Sequence, residues 1–233
     1  MKSILFNSLF FLILTLDIVF SNFDHLLPYR VITKPAVIGS LLVYFYLNSA
    51  HLIKEERRFL LLALVFLLLG DILFLKFDDT FFFFLGMASF MLGNIMYSLA
   101  FHFYVSHRFI RTILFSIVLL AYAYGLLNLI IDGLEALFVP VLIFMVVVFT
   151  MLQSAFSRLE AEVPRTAYFL VFTGGLLFMF SESIIAYSKF YKPFPFEDIF
   201  IMLTYGLGQY FIIMGMTYKR NTKAKKYNQN FHN

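Results

Sequence analysis

Two carboxyls and two carboxamides interrupt long apolar stretches of this sequence. Asp71 lies in Phe66-Leu-Leu-Leu-Gly70-Asp71-Ile-Leu, Glu182 in Phe178-Met-Phe-Ser181-Glu182-Ser-Ile-Ile, Asn94 follows Gly93 and Gln209 follows Gly208. A carboxylate inside hydrocarbon costs several kcal/mol unless a partner or a wet cavity meets it, so such groups mark acid/base sites, proton relays or substrate pathways. Asp71 centres a pair of apolar helices running from Phe59 to Tyr104 and joined by Lys76-Phe77-Asp78-Asp79-Thr80; Tyr97 stands about one turn beyond Asn94. Each residue also has a structural reading. Asp71 and Glu182 would then hydrogen-bond a neighbouring helix or pair with Lys34, and Asn94 and Gln209 would be interhelical contacts worth about a kcal/mol or less.

The composition explains why these residues stand out. Sixty-one per cent of the 233 residues are hydrophobic, 20% aromatic and 14% charged, against about 25% charged in an ordinary soluble domain. Mean hydropathy is +0.86. The expected class is therefore all-α, a polytopic transmembrane bundle. The pI near 9.2 does not point to nucleic acid, because the basic residues are scattered over short loops and a tail, as topology signals are. With no cysteine, disulfides, thiolate nucleophiles and Cys-based metal sites are excluded. The five histidines show no ligand spacing: His102 and His107 are five apart, off a shared face. Nothing in the sequence calls for a cofactor or a metal.

About 20 apolar residues cross a bilayer core, and eight stretches qualify: 3–20, 31–48, 59–75, 81–104, 110–131, 136–156, 166–187 and 197–218. The first carries Asp17 late in its run and has no small-x-small cleavage site before Ser21-Asn22-Phe23-Asp24, so it is expected to be a retained span rather than a signal peptide. Residues 1–218 form one expected transmembrane domain, and 219–233 a basic, Asn-rich, disordered cytoplasmic tail. With an even number of spans both termini share a side. That side collects Lys2, Lys54, Arg57, Arg58, Arg108, Arg111, Arg158, Arg165 and the five basic residues of the tail, thirteen against the five of Arg30, Lys34, Lys76, Lys189 and Lys192. Both termini are thus expected in the cytoplasm of a cell (inner) membrane protein.

This orientation puts Asp71 and Glu182 in the outer half of the membrane, Asn94 and Gln209 near mid-depth, Lys34 at the outer start of its span beside Pro35, and Asp17 at the outer interface. Gly86, Ser89 and Gly93 share one helical face, as Thr204, Gly208 and Gly215 approximately do, and are expected to be close-packing surfaces. Phe81 to Phe84 form an aromatic patch expected to face lipid. The matching Gly-Asp and Ser-Glu stretches, with Gly-Asn and Gly-Gln one span later, form a weak repeat. Two parallel four-span units would explain it; so would chance matches among apolar helices.

Taken together, Thr33-Lys34-Pro35, Gly70-Asp71, Phe90 to Tyr97, Gly174-Gly175-Leu-Leu-Phe178-Met-Phe-Ser181-Glu182-Ser183 with Lys189-Phe190, and Tyr205 to Gln209 resemble the lysoplasmalogenase (YhhN-like) family, over essentially the whole chain and in order. The resemblance implies hydrolysis of the vinyl-ether bond of a lysoplasmalogen to a fatty aldehyde and a glycerophospho-ethanolamine or glycerophospho-choline, with a lysophospholipid substrate and membrane lipids as partners. Two positions depart from the family pattern. Asn94 stands where His is usual, which removes a group titrating near neutral pH, and Glu182 stands where Asp is usual, which keeps the charge and adds a methylene.

Vinyl-ether hydrolysis needs an acid to protonate the β-carbon and a negative charge near the resulting oxocarbenium ion, a division of labour that paired carboxyls perform in glycosidases. Burial disfavours ionisation of a carboxyl, and two carboxyls sharing a site titrate in separate steps, so one of a pair can keep its proton while the other is charged. The resemblance therefore implies Asp71 and Glu182 as the catalytic pair, Lys34 at the phosphate, and Asn94, Tyr97, Tyr205 and Gln209 in contact with substrate or water. The competing readings are a proton-coupled transporter, and a lipid-binding member of the family without catalysis.

Overall fold

In a computed structural model, residues 2–76, 79–103, 109–160 and 163–218 are described. The expected tail from Lys219, Tyr104 at the end of the fourth span, the turn residues Phe77 and Asp78, and Arg108 in the topology count lie outside the described residues. Among those described, the chain is all-α, with no strand. Its long helices are α1 (Lys2–Ser21), α2 (Arg30–Asn48), α3 (Lys54–Leu73), α4 (Thr80–His102), α5 (Phe109–Leu134), α6 (Phe138–Phe156), α7 (Arg165–Phe190) and α8 (Glu197–Thr217). Long apolar runs become helices because hydrocarbon has no donors or acceptors, so each backbone N–H must find its carbonyl within the segment.

Among the described residues, seven helical segments are long and apolar enough to cross a membrane. One of them, Ile110–Phe156, is 47 residues long and contains both α5 and α6, separated by a 3-10 turn at Glu135–Leu137 where Glu135 has φ 43°. The two helices double back on each other: Phe115 stacks on Phe156 at 4.0 Å, and the Ser116 hydroxyl donates to Gln153 Oε1 at 3.4 Å.

Helix ends follow local chemistry. The Asp79 carboxylate accepts from the N–H groups of Phe81 and Phe82 at 2.9 and 3.3 Å and starts α4. Helix α3 begins at Lys54, five residues before its apolar run, because Glu55 and Glu56 in the first turn complement the helix dipole. Between α1 and α2 a 3-10 turn, Asp24–Tyr29, leads into a helix that starts early enough to carry Lys34 and Pro35 within its first two turns.

The helices form a closed ring. In order α1, α2, α3, α4, α6, α7 and α8, each packs on the next, and α8 returns to α1 and α2; α5 lies outside against α6 and α7. The most extensive pairings are α7 with α8 and α3 with α4. The main core runs through the ring, with Phe10, Ile38, Leu41, Leu64, Leu67, Tyr97, Phe178 and Ile212 all fully buried, while Ile4, Leu5, Ile117, Val118 and Phe169 face outward, as a lipid-facing surface requires. Of the expected lipid-facing patch, Phe81 and Phe84 are exposed, but Phe83 turns inward to lie 6.0 Å from Phe74.

The small-residue faces do bring helices close. Gly174 and Gly208 let α7 and α8 meet backbone to backbone: a Cβ on Gly174 would fall 2.6 Å from the Gly208 carbonyl oxygen and 2.8 Å from the Ile212 nitrogen. Gly86, Ser89 and Gly93 are buried on the α3–α4 seam, where the Ser89 hydroxyl donates to the Phe66 carbonyl at 2.6 Å. Thr204 instead donates to the Phe200 carbonyl of its own helix at 2.6 Å.

Because backbone atoms on the facing helix have nowhere to move, Gly174→Leu is expected to lower the unfolding temperature of detergent-purified protein, with a cost of about 1–3 kcal/mol or more. Gly125→Leu on the outer helix α5, whose added Cβ meets nothing within 4 Å, should leave it unchanged.

Candidate active site

Asp71 sits near the end of α3 with 1% of its surface exposed. A buried carboxylate is held by whatever donors and cations reach it, and here they come from two other helices. The Tyr205 hydroxyl of α8 donates to Asp71 Oδ2 at 2.9 Å, and Lys34 of α2 lies within electrostatic reach. Glu182 of α7, half-buried, interacts electrostatically with both Asp71 and Lys34. Three ionisable residues, each from a different helix, thus lie within electrostatic reach of one another.

One helical turn beyond Tyr205, Gln209 Oε1 accepts from the Tyr97 hydroxyl at 2.7 Å, so α8 joins the carboxyl cluster to a second polar group on α4. Asn94 spends its amide on its own helix, donating to the Phe90 carbonyl at 2.8 Å. Asn94 Oδ1 and Gln209 Nε2 are both buried with no hydrogen-bond partner in the protein. Of the seven residues expected from the sequence, Asp71, Glu182, Lys34 and Tyr205 form one ionisable set and Tyr97 and Gln209 a hydrogen-bonded pair one turn along α8, while Asn94 lies one turn before Tyr97 on α4 and, among the described residues, bonds only to its own helix.

Aromatic rings wall the charged set. Phe90 stacks on Phe74 at 5.2 Å and on Phe178 at 6.4 Å, and Tyr205 lies 5.9 and 6.1 Å from Phe90 and Phe178. Gly70 makes room for this arrangement, since a Cβ there would run into the Phe90 ring. Such walls exclude water and strengthen electrostatic interactions between the groups they enclose.

A cleft of about 290 Å³ opens at one end of the bundle, lined by residues that include Arg30, Lys34, Phe74, Ile185, Asp198 and Met202. Phe74, Ile185 and Ile201 line it, and Asp71, Glu182 and Tyr205 follow one helical turn further into the bundle on the same helices, so the cluster lies about a turn beneath the cleft. Lys34 belongs to both.

Asp17 lies in the last turn of α1, near the end its place in the sequence suggested, but its side chain turns inward. It is fully buried, accepts from the Thr33 hydroxyl at 2.7 Å, and pairs with Arg30 at 3.6 Å. Arg30 also reaches Asp198 of α8 at 3.8 Å. The inward turn of Asp17 follows from opposite charges at the adjoining ends of consecutive helices, which could have been read from Asp17 and Arg30 flanking the first connection. The rim role of Asp198 left no such signal, because an acid in the first turn of a helix is ordinary.

The YhhN family model matches residues 29–216. The chain belongs to the YhhN family. The YhhN match starts one residue before Arg30 and takes in α2 through nearly all of α8, hence every residue of the cluster and the cleft; α1, with Asp17, lies before it. No curated protein and no solved structure matches the chain.

Removing the Tyr205 hydroxyl withdraws a hydrogen bond from a buried carboxyl. Tyr205→Phe is expected to destabilise the folded protein by about 1–3 kcal/mol, read as a lower midpoint of unfolding in detergent, while Tyr46→Phe on the exposed face of α2 should have no effect.

Proposed function

We propose that this YhhN-family protein is an integral-membrane hydrolase that cleaves the vinyl-ether bond of lysoplasmalogens, releasing a fatty aldehyde and a glycerophospho-ethanolamine or glycerophospho-choline. The observation that carries the reading is that two carboxyls and one lysine, from α3, α7 and α2, lie within electrostatic reach of one another, with Tyr205 bonded to Asp71, beneath a cleft at one end of the bundle.

In this mechanism Asp71 is the general acid. Tyr205 holds Oδ2, which leaves Oδ1 to carry the proton delivered to the β-carbon of the vinyl ether. The electron pair of the double bond forms the new C–H bond, and the α-carbon becomes an oxocarbenium ion. Ionised Glu182 stabilises that cation and takes a proton from the water that adds to the α-carbon. The hemiacetal then collapses: its hydroxyl proton leaves, the carbonyl forms, and the glycerol oxygen departs as an alcohol with a proton returned through the carboxyl pair. Lys34 receives the phosphate. Asn94 Oδ1 and Gln209 Nε2, an acceptor and a donor without protein partners, suit a buried water, and Tyr97 fixes the orientation of Gln209. No covalent nucleophile is needed.

The finer topology belongs to the same proposal: eight crossings, with α5 and α6 counted separately, both termini in the cytoplasm, and the cleft facing the outer leaflet of the cell membrane. The distribution of basic residues supports it. The extensive α3–α4 and α7–α8 pairings occupy corresponding places in the two halves, which suits a parallel repeat. A carrier would need access from both faces, whereas every residue lining the cleft comes from one end of the bundle.

Purified protein incubated with a lysoplasmenyl lipid is expected to release fatty aldehyde, detected by mass spectrometry, and to leave the ester analogue intact; fatty acid from the ester would overturn the vinyl-ether reading. Asp71→Asn and Glu182→Gln should each reduce aldehyde release by at least about a hundredfold. Activity that survives both substitutions would rule out the carboxyl pair.

A further inference from the structure

The cleft above the carboxyl cluster carries charge of both signs. Its cations are Arg30 and Lys34 at the start of α2 and Lys189 near the end of α7, and its acids are Glu197 and Asp198 at the start of α8. Arg30 faces two carboxylates. Asp17, buried and also held by Thr33, balances its charge from within the bundle. Asp198, with 47% of its side chain exposed, reaches it at 3.8 Å, which is beyond hydrogen-bond length. The Arg30–Asp198 contact is therefore an open ion pair at the cleft mouth, and no shorter contact holds Asp198 among the described residues.

An ion pair of this kind is matched by a molecule bearing both charges. A phosphate inserted between Arg30 and Lys34, with an ammonium placed on Asp198, replaces one long contact by several short charge-assisted ones. An anionic head with no ammonium would bring its charge towards Asp198 and satisfy nothing there. The form of the cation follows from the lining as well. A quaternary ammonium has no N–H to donate and is recognised by aromatic faces, whereas among the described residues lining the cleft only Phe74 is aromatic, and Lys34 Nζ already stands over its ring at 6.0 Å. A primary ammonium donates three hydrogen bonds and suits a carboxylate. Glu197 is otherwise engaged, accepting from the Ser188 hydroxyl and from the Phe194 N–H, which leaves Asp198 as the acceptor.

We propose that this cleft selects lysolipids with a primary-ammonium zwitterionic head, the phosphoethanolamine class, over choline and anionic heads, with Asp198 accepting from the ammonium and Arg30 and Lys34 donating to the phosphate. Asp198 is then the residue that determines head-group specificity. The assignment takes the lysolipid from the proposed function and adds which head it bears.

The test uses binding alone. Three 1-O-alkyl lysolipids with one saturated chain and ethanolamine, choline or glycerol heads are titrated calorimetrically into the full chain in detergent. A saturated ether offers no double bond to protonate, so the probes stay intact. The ethanolamine lipid is expected to bind about tenfold or more tightly than either of the others, as a site built around a donor rejects analogues lacking it. Asp198→Asn should bring the three to within about twofold of one another, and Asp198→Glu should keep the order. Asp198 is half exposed, and neither change alters the fold, which circular dichroism checks. Equal affinities in the parent, no saturable binding, or a preference that survives Asp198→Asn would each overturn the proposal. An ethanolamine preference in a protein that releases no aldehyde would sink the hydrolase reading and leave this one standing.

Discussion

Asp71 is fully enclosed by a bundle whose outer surface is built for hydrocarbon, and the need to satisfy its buried carboxyl organises the helices around it. Burying an ionisable group without partners costs more than a single packing contact returns. The partners must come from helices distant in sequence, because the neighbours of Asp71 along α3 are leucine, isoleucine and glycine. Tyr205 arrives from α8 and Lys34 from α2. Their convergence requires α8 to lie against α2 across the ring from α3, and this explains why the last helix returns to the first two rather than ending the bundle at its edge.

That return depends on close packing elsewhere. Van der Waals contact, not the hydrophobic effect, joins helices within a membrane, and Gly174 facing Gly208 allows α7 and α8 their near approach. With those two helices in close contact, α7 brings Glu182 and α8 brings Tyr205 within reach of Asp71. The same device acts on α3 and α4, where Gly93 packs beside Leu67 and Gly70 leaves space for the Phe90 ring. The two glycine-bearing pairs are thus the rigid halves between which the charged cluster is held.

Much of this was legible in the chain. The expected span limits agree with the observed helices to within a few residues, except at the start of α3, where charged Lys54–Arg58 continue the helix beyond its apolar run. The candidates Asp71, Glu182 and Lys34 were identifiable because charge in an apolar segment is rare and costly, and Asn94, Tyr97 and Gln209 because they share those segments. Tyr205 was a candidate, yet nothing in its neighbourhood pointed to Asp71, 134 residues away. The partners of Asp17 were missed for a related reason: its place near a helix end says nothing of which way its side chain points, and the first connection folds Arg30 and Thr33 over it.

The sequence by itself determined the membrane class, the helices and the short roster of polar groups able to do chemistry. Hydropathy and backbone hydrogen bonding are local properties, and in hydrocarbon each segment must satisfy its own backbone whatever its neighbours are. Only the tertiary structure decided which way each helix is turned about its axis, and hence that Asp71 meets Tyr205, that Gln209 meets Tyr97, and that Arg30 stands between Asp17 and Asp198. Those rotations are set by small contacts summed over whole helix faces, and no single stretch of the chain contains them.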